Sequence, residues 1–152
     1  MTTVRQILDS KKKSQIISVP PSATVFEALQ TMAQHEVSAV LVLENGHLAG
    51  IFTERDYARK LVLHGRNSKD TLIGELMTQN LLTVSPSQTV DNIMALITEN
   101  RIRHLPVVER GTLLGIVTIG DAVKAVIDEQ QHTIDQLSGY IAGDLATGTP
   151  AP

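Results

Sequence analysis

The sequence predicts a mixed α/β (α+β) fold built from two β-α-β-β-α repeats. One junction occurs twice, at 48–56 and 113–121. In both copies an apolar run ends in Gly, two apolar residues, Thr and, three positions later, Asp. The self-match continues without a gap over residues 19–61 and 84–126. Turn glycines, helix caps and strand hydrophobicity are preserved together in both copies, which chance similarity does not achieve. Since one half cannot cover both faces of a three-stranded sheet, we expect the two halves to pack together.

The composition is that of a globular protein. Of 152 residues, 42% are hydrophobic and 19% are charged, whereas only 3% are aromatic, so we expect an aliphatic core. The net charge of -3 argues against general binding to nucleic acid. The chain has no cysteine, which excludes disulfides and thiolate metal sites and is typical of a reducing compartment. Because no apolar run suits a signal peptide or a membrane span, we expect a cytoplasmic protein.

The elements of the first repeat follow from local patterns. A capping box at Thr24 and Glu27 opens a helix that runs to about His35. The pair Asn45-Gly46 joins two apolar strands into a hairpin. The predicted elements are a short helix at 4–8, a strand at 16–19, the helix from 24, strands at 39–43 and 48–53, and a helix from 54 to about 64.

The second repeat is predicted to follow the same order, with a helix at 72–77 and a strand at 81–84. The predicted boundaries are 1–65 for the first repeat with its N-terminal helix, 66–130 for the second repeat with its linker, and 131–152 for a C-terminal helix extension and tail. An apolar stripe outlasts the second repeat and therefore needs a partner surface. Its members are Val123, Val126, Ile127, Gln130, Ile134, Leu137 and Ile141. Residues 143–152, rich in Gly, Thr, Ala and Pro, are expected to form a frayed tail.

Taken together, these features resemble a known family. The element order, the tandem copies, the Leu-Pro-Val-Val strand at 105–108 and the repeated Gly-to-Asp ending are similar to a pair of cystathionine-β-synthase (CBS) domains. The resemblance covers about residues 4 to 130 and is closest in kind to small stand-alone bacterial CBS-domain proteins. It implies one pseudo-twofold module with two clefts between the repeats, assembled as a homodimer. It also implies a regulatory role, in which an adenine nucleotide binds and its occupancy is passed to an unidentified partner. AMP is the favoured ligand, with ATP or NAD as alternatives.

The same resemblance gives roles to the repeated motif. It implies that Asp56 and Asp121 bind ribose, and that Thr53 and Thr118 bind phosphate. The chemistry agrees, because a carboxylate can accept both hydroxyls of a cis-diol in charge-assisted hydrogen bonds. A threonine hydroxyl can donate to a phosphate oxygen. A different interpretation stays open, since Thr-x-x-Asp also caps a helix without any ligand.

The walls of the two clefts are also implied by the resemblance. For the Asp121 site, the adenine contacts lie on the first repeat, at Ile16 to Ser18 and at Val37, Ser38 and Ala39. For the Asp56 site, they lie on the second repeat, at Leu81 to Thr83 with Ile102 and Arg103. The Asp121 cleft is expected to matter more, because Gly120 allows a close approach of the backbone to a ligand and because Arg103 and His104 of the same repeat could neutralise a phosphate.

Basic residues distinguish the second repeat from the first. Arg101, Arg103 and His104 stand before the Leu-Pro-Val-Val strand and resemble the phosphate contacts of nucleotide-binding CBS modules. Solvent-facing charge is an equally good interpretation of the three. Arg55, inside the first motif, could reach a phosphate or stay on the surface.

Catalysis is not indicated by any residue pattern. The sequence offers neither a Ser-His-Asp set nor paired carboxylates, and its other histidines lack metal-ligand spacing. We therefore expect no enzyme activity, no metal, no required cofactor, and no nucleic-acid or membrane partner. Two hypotheses remain: a nucleotide-sensing regulatory module, and a structural dimerisation module with vestigial nucleotide sites.

Overall fold

The computed structural model describes residues 1–11 and 16–147, with side chains through residue 142. The first repeat contains α1 (Val4–Ser10), β1 (Ser18–Val19), α2 (Val25–His35), β2 (Ala39–Glu44), β3 (His47–Thr53) and α3 (Glu54–Asp56). From α3 the chain continues through a π-helical turn (Tyr57–Leu61) and a 3-10 turn (Val62–His64). The second repeat contains α4 (Ile73–Leu76), α5 (Val90–Asn100), β4 (His104–Glu109), β5 (Thr112–Thr118) and α6 (Ile119–Thr147). The predicted α+β class is confirmed, and the second repeat follows the order of the first except for its first strand.

Both repeats contain the predicted hairpin in the same local form. The strands β2 and β3 pair antiparallel, as do β4 and β5, and each pair has a register shift at the equivalent position. The turns Asn45-Gly46 and Arg110-Gly111 have positive φ at both residues, with 53° and 79° in the first and 51° and 78° in the second. Such turns match the right-handed twist of the strands that they join. The hairpins therefore arise from local sequence alone.

The first strand of the second repeat is a correction to the sequence prediction. In the first repeat, β1 runs parallel to β2, and the amide of Leu41 donates to the carbonyl of Ile17. In the second repeat, the predicted strand at 81–84 is reduced to a single parallel bridge between Val84 and Val107. The residue that corresponds to Leu41 is Pro106, which has no amide hydrogen to donate. The proline therefore shortens this part of the ladder.

The two cores exchange their leading helices. Val4 and Ile7 of α1 are buried in the core of the second repeat, and Ile73 and Leu76 of α4 are buried in the core of the first. Backbone hydrogen bonds fix both exchanges, from Val4 to the carbonyl of Gln88 and from Ile73 to that of Ala23, each 2.8 Å long. The two halves of the chain are therefore interlocked.

A third apolar cluster joins the two sheets. Its buried members, Ala39, Leu41 and Ile51, come from the first repeat. Leu113 and Ile116 of β5 and Leu81 pack against them from the second repeat. The predicted packing of one sheet on the other is thus confirmed, and the two repeats form one pseudo-twofold module.

Two predicted helices end differently in the structure. The segment after Thr53 is not one regular helix but passes through the π and 3-10 turns before Gly65 ends it in the left-handed region, at φ 65°. The helix α6 continues to Thr147, so the prediction of a frayed tail is wrong for 143–147. Residues 148–152 of that predicted tail lie outside the described residues. No helix in the described part of the chain is long and apolar enough to cross a membrane.

Candidate functional site

Both copies of the Thr-x-x-Asp motif form a complete capping box. The Thr53 hydroxyl accepts the amide of Asp56 at 3.1 Å, and the Asp56 carboxylate accepts the amide of Thr53 at 3.0 Å. Thr118 and Asp121 repeat both contacts, at 3.1 and 2.9 Å. The structure thus confirms that the motif caps a helix in both repeats. Each hydroxyl hydrogen remains available as a donor, so capping and ligand binding are compatible.

Each motif aspartate also contacts a lysine. Lys60 Nζ lies 3.2 Å from Asp56 Oδ1, and Thr78 Oγ1 lies 3.5 Å from the same oxygen. Lys11 Nζ lies 2.9 Å from Asp121 Oδ2. A carboxylate has about four lone-pair positions, so Asp56 keeps some capacity for a further donor. Sequence reasoning missed both lysines, although the i,i+4 spacing of Asp56 and Lys60 was visible.

A cleft of about 930 Å³ opens around Asp56, between the repeats. The first repeat contributes the motif residues Thr53 and Asp56. The second repeat contributes apolar side chains at Leu81, Leu82 and Ile102. The structure therefore brings together the side chains that the resemblance assigned to the Asp56 site. Thr83 is the one residue of that set that does not line the cleft.

Arginines outnumber carboxylates in the lining of this cleft. Four of them line it, namely Arg55, Arg59, Arg101 and Arg103, against two carboxylates, Glu54 and Asp56. The cleft is therefore locally basic in a chain whose net charge is -3. Guanidinium groups bind phosphate in bidentate geometry, which suits them to a phosphate-bearing ligand. Arg59 was missed by sequence reasoning, although it follows Arg55 by one helical turn.

The equivalent position in the other repeat carries the opposite charge. Arg101 caps α5 in the left-handed region at φ 53°, and Glu36 caps α2 at φ 55°. Glu36 lines a smaller cavity of about 310 Å³ together with Val37, Ser38 and Glu54. The two repeats are thus similar in backbone but differ in the charge of these equivalent side chains. The basic side chain, Arg101, lines the Asp56 cleft.

His104 and Ser38 join the two repeats at the wall of this cleft. The Ser38 Oγ and His104 Nε2 atoms are 3.1 Å apart, and both residues line the cleft around Asp56. Burial, and next the charge of Arg103, lowers the pKa of His104, while Asp121 opposes the shift. His104 is therefore neutral near pH 7 and acts there as a hydrogen-bonding group. The resemblance had placed Ser38 against Asp121, but the structure places it in the lining of the Asp56 cleft.

The residues assigned to the Asp121 site are spread over several environments. Gly120 lies in the first turn of α6, and a side chain built there would meet only Thr118 Oγ1, at 3.6 Å. Val37 lines the 310 Å³ cavity with Glu36, and Ala39 is buried between the sheets. Ser18 pairs with Leu41 in the sheet, and Ile16 is 39% exposed. The segment between Lys11 and Ile16 lies outside the described residues.

Comparison with models of known protein families identifies the family of this chain. The model of the CBS domain family matches residues 4–63 and 73–128. The chain belongs to the CBS domain family. CBS pairs are typically regulatory ligand-binding modules rather than catalysts. Among the described residues there is also no group of three or more His, Cys, Asp or Glu side chains that could hold a metal ion.

Relatives and solved structures agree with the assignment. The mitochondrial CBS domain-containing protein CBSX3 of Arabidopsis thaliana is 43% identical over 150 residues, which cover 93% of this chain and 73% of that protein. The structure of a CBS-domain protein from Burkholderia ambifaria MC40-6 is 48% identical, has a TM-score of 0.82, and covers 85% of this chain and 96% of that one. The predicted tandem pair of CBS domains is thereby confirmed.

A more distant neighbour carries ligands. The CBS domain pair of the protein MJ0100, 25% identical with a TM-score of 0.74, was solved in complex with 5'-methylthioadenosine and S-adenosyl-L-methionine. The match covers 85% of this chain and 98% of that chain.

Proposed function

We propose that this CBS pair is a regulatory sensor whose cleft around Asp56 binds an adenine nucleotide. The observation that carries the proposal is the joint presence of a carboxylate, four arginines and an apolar wall in one cleft of about 930 Å³. Asp56 accepts a ribose hydroxyl, the arginines bind phosphate, and the apolar wall formed by Leu81, Leu82 and Ile102 contacts the adenine ring. The Thr53 hydroxyl donates to a phosphate oxygen.

Charge favours a nucleotide that carries phosphate. Four arginines against two carboxylates leave an excess of positive charge in the lining. A phosphate monoester carries a charge of about -1.5 to -2 at pH 7, so AMP approximately balances that excess. S-adenosyl-L-methionine, which MJ0100 binds, has a cationic sulfonium that the arginines repel. AMP is therefore the first candidate, and ATP and NAD are tested beside it.

The Asp56 cleft is proposed as the principal site, which reverses the preference drawn from the sequence. That preference depended on Gly120, and on Arg103 and His104 serving the Asp121 side. Arg103 and His104 line the cleft around Asp56, together with Arg55, Arg59 and Arg101. Both motif aspartates have a lysine partner, so the preference for the Asp56 cleft depends on the arginines and not on the ion pairs. We therefore assign the phosphate-binding role of Arg103 to the Asp56 site.

A structural role without a ligand is the second candidate. The observation that favours it is that both aspartates have capping and lysine partners already. In this alternative the pair serves as a homodimerisation module, and its clefts stay empty. Self-association itself is common to both candidates, and a CBS-CP12 protein of known structure, 27% identical, is hexameric. We propose a homodimer for this chain and retain the cytoplasmic location as a prediction.

Thermal unfolding with added ligands separates the two candidates. A ligand that binds only the folded state raises the midpoint by mass action. We expect AMP, ADP, ATP or NAD to raise it, and we expect Arg101→Gln to reduce the shift. The control is Arg66→Gln, since Arg66 pairs with Glu75 and does not line the cleft. No shift with any nucleotide at millimolar concentration would favour the structural role.

A further inference from the structure

The helix α6 presents an apolar seam to solvent. Val123 is 41% exposed, and Ile127, Ile134, Leu137 and Ile141 are each between 53% and 58% exposed. The steps between successive seam positions alternate between four and three residues once Gln130 is included. This spacing is the heptad repeat of a coiled coil, with isoleucine at every a position and Val123, Gln130 and Leu137 at the d positions.

The seam is distinct from the face that packs on the domain. Ala122 and Ala125 are buried in the core of the second repeat, with Val126 packed against it. At about 100° per residue, the seam lies roughly a quarter of a turn away from that face. A second helix can therefore lie along the seam while the contacts of α6 with its own domain stay intact.

We propose that α6 forms a parallel, in-register, two-stranded coiled coil with α6 of a second copy of this chain. The inference depends on the proposed homodimer and goes beyond it by naming the contact surface and its orientation. β-branched isoleucine at each a position of the seam, with Leu137 at one d position, favours a parallel dimer. Gln130 occupies another d position, where in-register pairing lets the two opposed side-chain amides donate to and accept from each other.

The charges around the seam favour a copy of the same chain as the occupant. The flanking e and g positions between 124 and 140 carry one charge, that of Lys124, and otherwise Val126, Gln131, Thr133, Ser138 and Tyr140. The acidic residues Asp128, Glu129 and Asp135 lie at b and c positions, away from the seam. Two identical helices therefore meet without opposition between like charges, whereas selection of a different partner uses charged e and g residues.

Disulfide trapping tests the orientation directly, because the chain has no cysteine of its own. Ile127→Cys and Ile141→Cys are made as separate variants and oxidised. In a parallel, in-register pair both form an intermolecular disulfide, since each a position faces itself. In an antiparallel pair at most one of them can. His132→Cys, on the outer face, is the control and stays uncrosslinked.

A second measurement separates this inference from the nucleotide proposal. The double variant Ile134→Asp/Leu137→Asp changes only exposed side chains, so the domain folds, and light scattering is expected to show a monomer. A wild-type monomer at micromolar concentration would overturn both the homodimer and the coiled coil. A dimer that persists in the double variant, with neither cysteine crosslinking, would overturn the coiled coil alone. Calorimetry with AMP reports on the cleft independently of either result.

Discussion

The ammonium group of Lys11 lies 2.9 Å from Oδ2 of Asp121 and also donates to the carbonyl of Ile116 at 2.9 Å. Lys11 follows α1, whereas Asp121 lies in the first turn of α6, so the contact ties the exchanged first helix to the second repeat. The two side chains keep only 24% and 22% of their surface exposed. This contact therefore stabilises the interlocked fold.

Removing the lysine tests that role. Lys11→Met is expected to lower the free energy of unfolding by about 1–2 kcal/mol, because two charge-assisted hydrogen bonds in a partly buried place are lost. The control is Arg5→Met, whose pair with Glu109 is about half exposed on both sides and should contribute less than about 1 kcal/mol. Urea unfolding compares the two. Equal losses would show that the Lys11 pair is an ordinary surface contact.

The glycines of the repeated motif give a second prediction. A Cβ at Gly50 would lie 2.8 Å from the backbone oxygen of Thr78 and from Met77 Sδ. At Gly115 it would meet only the end of the Leu8 side chain, at 3.2 Å. Because a hydrogen-bonded backbone cannot move as a flexible side chain can, Gly50→Ala should cost about 1–3 kcal/mol, and Gly115→Ala less. Urea unfolding midpoints that fall equally would contradict this.

The pH dependence of stability gives a third prediction. Because burial lowers the pKa of His104 below its ordinary value of 6.5, the unfolded chain binds a proton more readily than the folded chain. As the pH falls through about 6.5 toward 5, the free energy of unfolding should therefore decrease. His104→Gln should flatten this part of the profile, measured by urea unfolding at several pH values. A variant with the wild-type slope would show that other groups cause the dependence.

Local chemistry made much of the fold predictable from sequence. The hairpin at Asn45-Gly46 and the capping box at Thr24 depend on residues next to one another, and both appear as predicted. The short strand at 81–84 was mispredicted because the reason lies in Pro106, on a neighbouring strand. The exchange of α1 and α4 depends on tertiary packing, which no local pattern carries.

The candidate site was predictable only in part, because it too depends on contacts between residues that are distant in the sequence. The repeated motif pointed to Asp56, and the resemblance named Ile102 and Arg103 as its neighbours across the cleft. The pairing of Lys11 with Asp121 joins residues 110 positions apart and leaves no mark in the local sequence. The ion pair of Asp121 therefore could not be predicted from the motif alone.

Ligand selectivity gives a fourth prediction. The arginine-lined cleft should bind ATP at least about tenfold more tightly than S-adenosyl-L-methionine at low salt. The arginines attract the anionic phosphates of ATP and repel the cationic sulfonium of S-adenosyl-L-methionine. Raising the salt concentration should narrow the difference by screening. Calorimetry at two ionic strengths measures both effects. Preference for S-adenosyl-L-methionine would contradict the phosphate-binding role of the arginines.

Calorimetric titration of AMP into the wild type, Asp56→Ala and Asp121→Ala tests most directly whether the Asp56 cleft is the principal nucleotide site. The two variants are matched, since each removes one carboxylate that both caps a helix and pairs with a lysine. Circular dichroism checks that both remain folded. Loss of charge-assisted hydrogen bonds of about 1.5–3 kcal/mol each predicts that Asp56→Ala weakens AMP binding at least about tenfold. Asp121→Ala is expected to bind AMP within a few-fold of the wild type. Equal losses, or a greater loss in Asp121→Ala, would contradict the assignment of the Asp56 cleft as the principal site.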